Sequence, residues 1–269
     1  MYILTSMHNS IITLTTDFGW RDSYVAQMKG VILNLCPKAR IVDITHQIEK
    51  FNITMGAYVL ASAIPHFPSG TIHVAMIDPG VGTKRKAIII QTKNAFFIGP
   101  DNGLLSMAAG QKIMHIYTIK DRKLMLSEIS STFHGRDIFC AAAGHLANGV
   151  LPSDFGTENN EIVKLGFDKV EKKLDCLTGQ VIHIDNFGNI ITNLSKNVVK
   201  SMVTGKNINL QIKNAKLKLR LCQAYEEVEA QKTLAIIGSQ KFLEISINHG
   251  DAARIYRVKV GDRITVYRS

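Results

Sequence analysis

The chain has 269 residues, of which 46% are hydrophobic and 20% are charged, and its mean hydropathy is +0.07. This composition supports one or two domains with a buried core and argues against a disordered chain. No apolar run reaches the roughly 18 to 20 residues that a membrane helix needs, and the N-terminal segment lacks the features of a secretory signal. The sequence therefore predicts a globular cytoplasmic protein without a membrane partner.

The charge and the cysteines restrict the partners further. The formal net charge is +10, which by itself suits a protein that binds nucleic acid. The lysines, however, stand singly or in pairs among apolar and amide residues, as on the solvent face of strands. The sequence thus argues against nucleic acid as a partner, but a nucleoside- or nucleic-acid-binding protein with a basic barrel stays open as an alternative. The four cysteines form no CxxC pair, which favours reduced and mostly buried thiols.

The first part of the chain alternates strands and helices. Its β-branched and apolar runs predict strands over 11–16, 40–45, 71–77, 87–91 and 95–98. Caps and apolar spacing predict helices after Asp22 or Ser23, after Asn52, and over 137–147. Several strands run into loops rich in Gly and Asp, where open α/β sheets place their ligands. We therefore predict an N-terminal α/β domain with a mostly parallel central sheet over residues 1–172.

The second part has a different pattern. Short alternating or β-branched runs with polar breaks occur at 179–185, 189–195, 207–213, 215–221, 232–238 and 241–247. No long helical pattern separates them, which is typical of an antiparallel barrel or sandwich. We therefore predict a smaller C-terminal antiparallel β-barrel domain over residues 173–269, with the boundary between 165 and 178.

Three clusters in the first part carry side chains of catalytic or binding types. Asp17, in TTDFG, follows a strand, where a carboxylate can accept both hydroxyls of a ribose, although a turn or a helix cap explains it equally well. Asp78 and Arg85 flank the loop of DPGVGTKR, a spacing that allows either an ion pair that keeps the carboxylate ionised or an incidental surface pair. His134, in STFHGRD, lies just before a predicted helix.

The second part offers two further groups. Asp185, Phe187 and Asn189 interrupt a strand-like run in IDNFGN, and a carboxylate, an aromatic face and an amide suit an amino acid head group or a base. A plain hairpin turn explains the same residues. Glu244 and Asn248 alternate along LEISIN, so both side chains point to one face of a strand.

In this order the motifs TTDFG, DPGVGTKR, GPDNG, STFHGRD, IDNFGN and LEISINHGDAA resemble the S-adenosylmethionine hydroxide adenosyltransferase family. Its members hydrolyse S-adenosyl-L-methionine to adenosine and L-methionine, and they are related to the fluorinase and chlorinase enzymes. The resemblance extends from about residue 11 to about residue 267. It implies an α/β domain followed by a β-barrel domain.

The resemblance also implies roles for individual residues. The catalytic set of the family falls on Asp78, Arg85 and His134, with Asp78 and His134 expected to orient and partly deprotonate a water molecule. The expected substrate-binding residues are Asp17 for the ribose, Phe51 and Phe133 beside the substrate, Asp185, Phe187 and Asn189 for the methionine end and the base, and Glu244, Asn248 and Ala253 in the segment that closes the pocket.

The differences from the halogenating relatives also follow from the resemblance. Those relatives carry tyrosine at the position of Asp78, tryptophan at the position of Phe51, and no histidine at the position of His134. A carboxylate beside a halide would repel the anion, so the sequence argues against halogenation. The resemblance implies that no metal and no cofactor is required. It further implies a homotrimer whose sites lie between one subunit's N-terminal domain and its neighbour's C-terminal domain.

A metal-dependent phosphoesterase is the competing enzyme hypothesis. Acids and histidines that could supply ligands are Asp17, Asp43, His46, Asp78, Asp101, His134 and Asp137. No HxH, DxH or HExxH spacing occurs among them, which argues against this alternative.

Overall fold

The computed structural model describes residues 10–165 and 169–268, so the expectations for the N-terminal signal region at 1–9 lie outside the described residues. The chain divides into two compact units, residues 1–165 and 166–269. No helix among the described residues has the length and apolar character needed to cross a membrane. All four cysteines are free, and three of them are buried, as the sequence predicts.

A six-stranded sheet forms the centre of the first unit. Its strands are β1 (Ile11–Thr16), β2 (Arg40–Thr45), β3 (Thr71–Met76), β4 (Ala87–Thr92), β5 (Ala95–Pro100) and β6 (Ile113–Thr118). The order across the sheet is β2-β1-β3-β5-β4-β6. The pairs β2–β1, β1–β3 and β3–β5 are parallel, whereas β4 is antiparallel to both β5 and β6. The prediction of a mostly parallel α/β sheet is confirmed.

Helices cover both faces of this sheet. They are α1 (Tyr24–Leu35), α2 (Ile53–Ala63), α3 (Ser106–Ala109) and α4 (Ala141–Ala147). One hydrophobic core contains apolar side chains of α1 and α4, and a second contains those of α2 and α3. Strand β3 and the residue after it contribute alternately to the two cores, Val74 and Met76 to the first and Ala75 and Ile77 to the second. Its continuous apolar run is thus explained by burial on both faces.

The parallel pairing brings separate motifs to one edge of the sheet. Thr16 at the end of β1 lies opposite Met76 at the end of β3, so Asp17 and Asp78 both follow adjacent strand ends. Gly99 in β5 lets this strand approach β3 closely, because a Cβ atom at Gly99 would lie 2.4 Å from the carbonyl oxygen of Ala75. Sequence motifs that are about sixty residues apart therefore meet where α/β sheets bind ligands.

The helix predicted over 137–147 differs at its start. It begins two residues earlier, and the segment Gly135–Cys140 is wound as a π-helix before α4 begins. Gly135 lies directly against Met76, since a Cβ atom there would lie 2.2 Å from the Met76 sulfur atom. π-Helical turns of this kind are frequent at functional sites. Strand β6, at the edge of the sheet, was not predicted.

The second unit is a closed barrel. Its strands are β7 (Glu171–Lys172), β8 (Cys176–Ile184), β9 (Ile190–Ser195), β10 (Asn207–Ile212), β11 (Ala215–Cys222), β12 (Thr233–Ile237), β13 (Phe242–Ile247) and β14 (Arg263–Tyr267), with the short helices α5 (Lys196–Lys200) and α6 (Ala252–Tyr256). Pairing of β14 with β8 closes seven strands into a ring, and β7 pairs with β8 outside this ring. The predicted barrel is confirmed; β11 and β12 pair in parallel, the exception to its antiparallel pattern.

We expect Gly99→Ala to destabilise the first unit, because its methyl group would meet the Ala75 backbone and force the strands apart. Overpacking of this kind costs about 1–3 kcal/mol of unfolding free energy. Gly30→Ala, in α1, is the matched control: no atom lies within 4 Å of its added Cβ, and alanine raises helix propensity there. Denaturant unfolding of both variants checks the difference. Equal stabilities would contradict the close approach at Gly99.

Candidate active site

Asp78 and Arg85 form the centre of the site in the first unit. The Arg85 Nε atom donates to both Asp78 oxygens at 3.0 Å, and Nη2 donates to Asp78 Oδ2 at 2.5 Å. The two side chains are only 9% and 10% exposed. A shielded carboxylate that faces a guanidinium at these distances forms a charge-assisted ion pair with a defined geometry. The ion-pair interpretation of DPGVGTKR therefore describes the geometry, and the incidental surface pair does not.

His134 is bound to the same guanidinium. The Arg85 Nη2 atom lies 2.8 Å from His134 Nδ1. A guanidinium only donates hydrogen bonds, so Nδ1 accepts and carries no proton. The neutral imidazole consequently has its proton on Nε2, which faces away from Arg85 as a hydrogen-bond donor. The sequence-based expectation that His134 accepts a proton from water does not fit this tautomer.

The surroundings of His134 keep the ring neutral. Burial, reinforced by the positive charge of Arg85, lowers the pKa of His134 below its ordinary value of 6.5, against smaller opposing effects of Asp78 and Asp137. The Arg85 guanidinium also lies over the Phe139 ring at 5.1 Å, a residue of the π-helical segment. The helix that follows His134 thus helps to fix the group that binds it.

A close backbone approach at Gly82 and a hydrogen bond to the Ile77 carbonyl oxygen hold the segment around Asp78. Gly82 has a φ of +76°, and a Cβ atom there would lie 2.5 Å from the Ser131 carbonyl oxygen, so this position requires glycine. The Asn102 amide donates to the carbonyl oxygen of Ile77 at 2.9 Å. Asn102 lies in the motif GPDNG, from which no role for it was predicted. Its amide now has one, because it anchors the residue before Asp78.

Asp17 and Phe51 are linked directly. The Phe51 backbone N–H donates to Asp17 Oδ2 at 2.8 Å. Phe51 has a φ of +64°, and 68% of its surface is exposed. The Asp17 carboxylate is therefore oriented by one backbone donor and keeps acceptor capacity for a ligand. The strained backbone at Phe51 fits a position at a ligand site.

Phe133 belongs to an aromatic group between the Asp17 and His134 segments. Its ring packs edge-on against Phe18 and Tyr24 at 5.8 Å and 5.3 Å. The Arg136 guanidinium lies over its other side at 5.0 Å. Offset and edge-on aromatic packing gives such a cluster a defined geometry. All six predicted site residues of the first unit thus lie at the carboxyl edge of the sheet or in the loops that meet it.

The turn after β8 in the second unit is organised by Asp185. Its Oδ1 accepts the backbone N–H groups of Phe187 and Asn189, and its Oδ2 accepts from the Asn189 side chain at 2.8 Å. Gly188 completes the turn at a φ of +78° against Asp251. Asp185 has the contacts of a hairpin-turn residue, and Phe187 is 76% exposed beside it. The turn leaves the Phe187 ring exposed, while Asn189 beside it is only 7% exposed.

A cavity of about 920 Å³ adjoins this turn within the second unit. Its walls include the predicted residues Asp185, Phe187, Asn189 and Asn248. They also include Tyr225 and Arg254, which sequence reasoning missed. Tyr225 lies in a polar segment between strands. An aromatic residue in such a segment is the one feature of the sequence that could have indicated a place in the cavity. The cavity has the size and the mixture of apolar and polar walls that suit a small-molecule site.

The remaining predicted site residues of the second unit, Asn248, Ala253 and Glu244, differ from one another in their contacts. Asn248 is buried, and its side-chain amide donates to the Val228 carbonyl oxygen at 2.8 Å. The Ala253 side chain belongs to the barrel core, while its N–H donates to the Gly188 carbonyl oxygen. Glu244 is only 7% exposed. Burial, with the charge of Asp185, raises the pKa of Glu244 to about 7.

The candidate metal ligands do not converge. No group of three His, Cys, Asp or Glu side chains with the geometry to hold a metal ion occurs within residues 10–165 and 169–268. Asp101 accepts the Val163 N–H group, and Asp137 accepts that of Ser130. Asp137 also pairs with the Arg136 Nε atom at 2.6 Å, so both acids are engaged by protein groups. The metal-dependent phosphoesterase alternative thus finds no support in the arrangement of its proposed ligands.

Two family models match this chain. The N-terminal domain of the S-adenosylmethionine hydroxide adenosyltransferases matches residues 12–156, and the C-terminal domain of the same family matches residues 179–265. The chain belongs to this family. The resemblance expected from the motifs is confirmed.

Individual relatives agree with the family assignment. The (R)-S-adenosyl-L-methionine hydrolase of Methanocaldococcus jannaschii is 41% identical over 267 residues, with 95% of each chain covered. A fluorinase of an Actinoplanes species is more distant, at 25% identity over 97% of this chain and 98% of its own. The crystal structure of an uncharacterized conserved protein from Thermotoga maritima superimposes with a TM-score of 0.90 at 35% identity, covering 96% of this chain and 100% of that one.

In this hydroxide adenosyltransferase chain, Glu244 is expected to reduce stability at alkaline pH. Its folded pKa of about 7 exceeds the ordinary 4.5, so the folded state keeps a proton that the unfolded chain releases. Stability is lost as pH rises from 4.5 to 7, by as much as about 3 kcal/mol. Glu244→Gln should raise the melting temperature at pH 8 and change it little at pH 4.5, whereas the exposed Glu226→Gln control should change neither. A pH-independent effect of Glu244→Gln would contradict this linkage.

Proposed function

We propose that the protein hydrolyses S-adenosyl-L-methionine to adenosine and L-methionine by in-line attack of water on C5′ of the ribose. The observation that carries the proposal is the single Arg85 nitrogen that donates to both Asp78 and His134. This arrangement occurs in a chain whose 41% identical relative is named an (R)-S-adenosyl-L-methionine hydrolase. Family membership supplies the substrate class, and the three side chains supply a way to hold a water molecule.

The reaction balances without an added reagent. The water oxygen forms a bond to C5′ while the C5′–S bond breaks, and the bond pair goes to sulfur, so methionine leaves as a neutral thioether. One water proton is released. Because the leaving group is neutral, no general acid is needed at sulfur. The enzyme has to place one water molecule in line and accept its proton.

Asp78 and His134 divide this task. The ionised Asp78 carboxylate has lone pairs beyond those used by Arg85, so it accepts a hydrogen bond and then the proton of the attacking water. His134 presents its Nε2–H group, so it donates to a lone pair of the same water and stabilises hydroxide character. Arg85 holds both partners in place through its hydrogen bonds. A donor and an acceptor together restrict the water more than two acceptors would.

We assign the substrate contacts by chemistry. Asp17, oriented by the Phe51 N–H, accepts ribose hydroxyls, while Phe51 and Phe133 pack against the nucleoside. In the second unit, Phe187, Asn189 and the Asp185 turn suit the base and the methionine end. Glu244, Asn248 and Ala253 are assigned to the same end of the substrate, Ala253 through its backbone.

A halide is not the nucleophile in this proposal. The Asp78 carboxylate occupies the position next to the attacking group and would repel an anion there. Its ion pair with Arg85 is already satisfied, so the guanidinium offers little net positive charge for a halide. The same argument favours a neutral water, which needs an acceptor.

We further propose that the reaction needs no metal or cofactor, that the chain works as a homotrimer with sites at subunit interfaces, and that it acts in the cytoplasm. The four free cysteines fit a reducing compartment. The trimer rests on family membership, and light scattering of the purified chain tests it. A monomer at working concentrations would contradict it.

The direct test incubates the protein separately with the (S) and (R) sulfur epimers of S-adenosyl-L-methionine in oxygen-18-labelled water. We expect adenosine and methionine in equal amounts, with the label in adenosine and not in methionine, and no effect of a chelator. The relative's name leads us to expect faster turnover of the (R) epimer. Bound but intact substrate, or activity lost on chelation, would overturn the proposal.

Asp78→Asn should lower kcat by a factor of about 100 or more, because the amide cannot accept the water proton. Its matched control is Glu158→Gln, which removes a half-exposed carboxylate paired with His115 in the same unit. We expect the control to keep the wild-type kcat. Similar losses in both variants would place the effect in folding and not in catalysis.

The pH dependence follows from His134. Because its pKa lies below 6.5, kcat should stay constant as pH falls through 6.5 and decline only at lower pH, where protonation of Nδ1 breaks the bond from Arg85. Arg85→Gln removes the neighbouring positive charge, so the pKa of His134 should rise in this variant. NMR titration of the His134 ring protons measures both values without requiring turnover. A His134 pKa at or above 6.5 in the wild type would contradict the assigned tautomer.

A further inference from the structure

A buried hydrogen-bond relay lies beneath the Asp17 loop. His46 follows β2 and is fully buried. Its Nδ1 atom lies 2.8 Å from Thr16 Oγ1, and its Nε2 atom lies 3.0 Å from Asp43 Oδ1. Lys29 of α1 completes the relay, with its Nζ atom 2.6 Å from Asp43 Oδ2.

For a neutral His46 ring, the proton positions along this relay have one consistent arrangement. Asp43 is paired with Lys29 and accepts, so His46 Nε2 carries the proton that it donates to Asp43. The Thr16 hydroxyl oxygen accepts the Phe18 N–H group at 3.2 Å, which leaves its own proton to donate to His46 Nδ1. Donors and acceptors therefore alternate from the Phe18 backbone to Lys29. A chain of this kind, in which each bond polarises the next, is more rigid than isolated pairs.

The relay also connects two loops. The His46 carbonyl oxygen accepts the Gly19 N–H group at 2.7 Å, and the Thr16 carbonyl oxygen accepts the Ile48 N–H group at 3.3 Å. Asp17 lies between these anchor points and itself accepts from Phe51. His46 thus holds the segments 16–19 and 46–51 together, and these segments carry Asp17 and Phe51.

We propose that His46, supported by Asp43 and Lys29, is a positioning residue that fixes the Asp17 carboxylate for contact with the ribose hydroxyls. This inference rests on the proposed function, since it takes Asp17 as the ribose ligand. His46 has no exposed surface, so it acts through Asp17 and does not touch substrate. Both of its ring nitrogens are engaged by protein groups, so His46 has no nitrogen left for a metal ion.

A second Thr–His pair in the same sheet provides a matched control. Thr13 Oγ1 lies 2.8 Å from His73 Nδ1, and His73 is 1% exposed. Its ring packs against Phe67 and Phe97, in the middle of β3. The two pairs have the same bond length and similar burial, but only His46 has hydrogen bonds to the loop around Asp17. A loss of stability alone should therefore be shared by both histidine variants, whereas a loss of ribose recognition should not.

The experiment measures the binding of adenosine, 2′-deoxyadenosine and 3′-deoxyadenosine to the purified full-length chain by calorimetry. We expect the wild type to prefer adenosine by roughly 10- to 100-fold, as for hydrogen bonds to a charged acceptor. His46→Gln should lose most of this preference while it keeps its affinity for the deoxynucleosides. His73→Gln should keep the wild-type preference. Asp17→Asn should lose the preference, and adding His46→Gln to it should cause no further loss.

The outcomes separate this inference from the proposed function. If the wild type binds no adenosine, the proposed function fails and the inference fails with it. If the wild type and Asp17→Asn behave as expected but His46→Gln keeps the ribose preference, only the inference is overturned. Equal losses in His46→Gln and His73→Gln also overturn it. Should His46→Gln not fold, Asp43→Asn, at the end of the relay where the side chain is 24% exposed, replaces it, with a smaller expected loss of preference.

Discussion

The Arg85 guanidinium is the interaction on which the candidate site depends. It neutralises Asp78, it determines the tautomer of His134 by donating to Nδ1, and it lies over the Phe139 ring. Each of these partners comes from a different part of the first unit: the loop after β3, the loop before the π-helical segment, and that segment itself. A charged, nearly buried group with three partners tolerates little displacement, because loss of any partner leaves a poorly solvated charge. The loops that carry these partners are accordingly held by backbone contacts at Gly82 and at the Ile77 carbonyl.

The parallel sheet explains why these contacts form at one place. Adjacent parallel strands end at the same edge, so loops from distant sequence positions become neighbours without long connections. Two layers of interaction then determine the geometry. The outer layer contains side chains with acceptor or donor capacity to spare, such as Asp17 and His134. The inner layer contains side chains whose capacity is used within the protein, such as His46 and Asn102. This division separates residues suited to contact a substrate from residues suited to orient them.

The candidate binding region of the barrel unit differs in character from the site of the first unit. The core of the barrel is apolar, and the cavity of this unit is lined by polar residues of the β8–β9 turn and of the segment after β13, among them Asp185, Asn189 and Asn248. Asp185 uses its acceptors within the turn, while burial, with the charge of Asp185 in addition, raises the pKa of Glu244. Two acidic side chains in one region make it costly to keep both ionised. A cationic ligand group would lower that cost, and the amino acid end of the proposed substrate carries one.

The sequence by itself determined the alternation of strands and helices in the first unit and the strand-rich pattern of the second, because β-branched runs, caps and Gly-Asp loops are local signals, and its motifs determined the family. It also identified Asp78, Arg85 and His134 as a set, through the resemblance. It did not reveal β6, β14 or the π-helical turn, and it did not reveal the positions of Tyr225 and Asn102 in the sites. The local patterns of these segments are those of ordinary loops and short strands. Only the tertiary structure decided the proton positions. The partner that lies within about 3 Å of each ring nitrogen decides whether His134 donates or accepts a hydrogen bond. The partners of His46 likewise decide whether it can bind a metal or instead orients Asp17. The spacing of residues along the sequence does not give these distances.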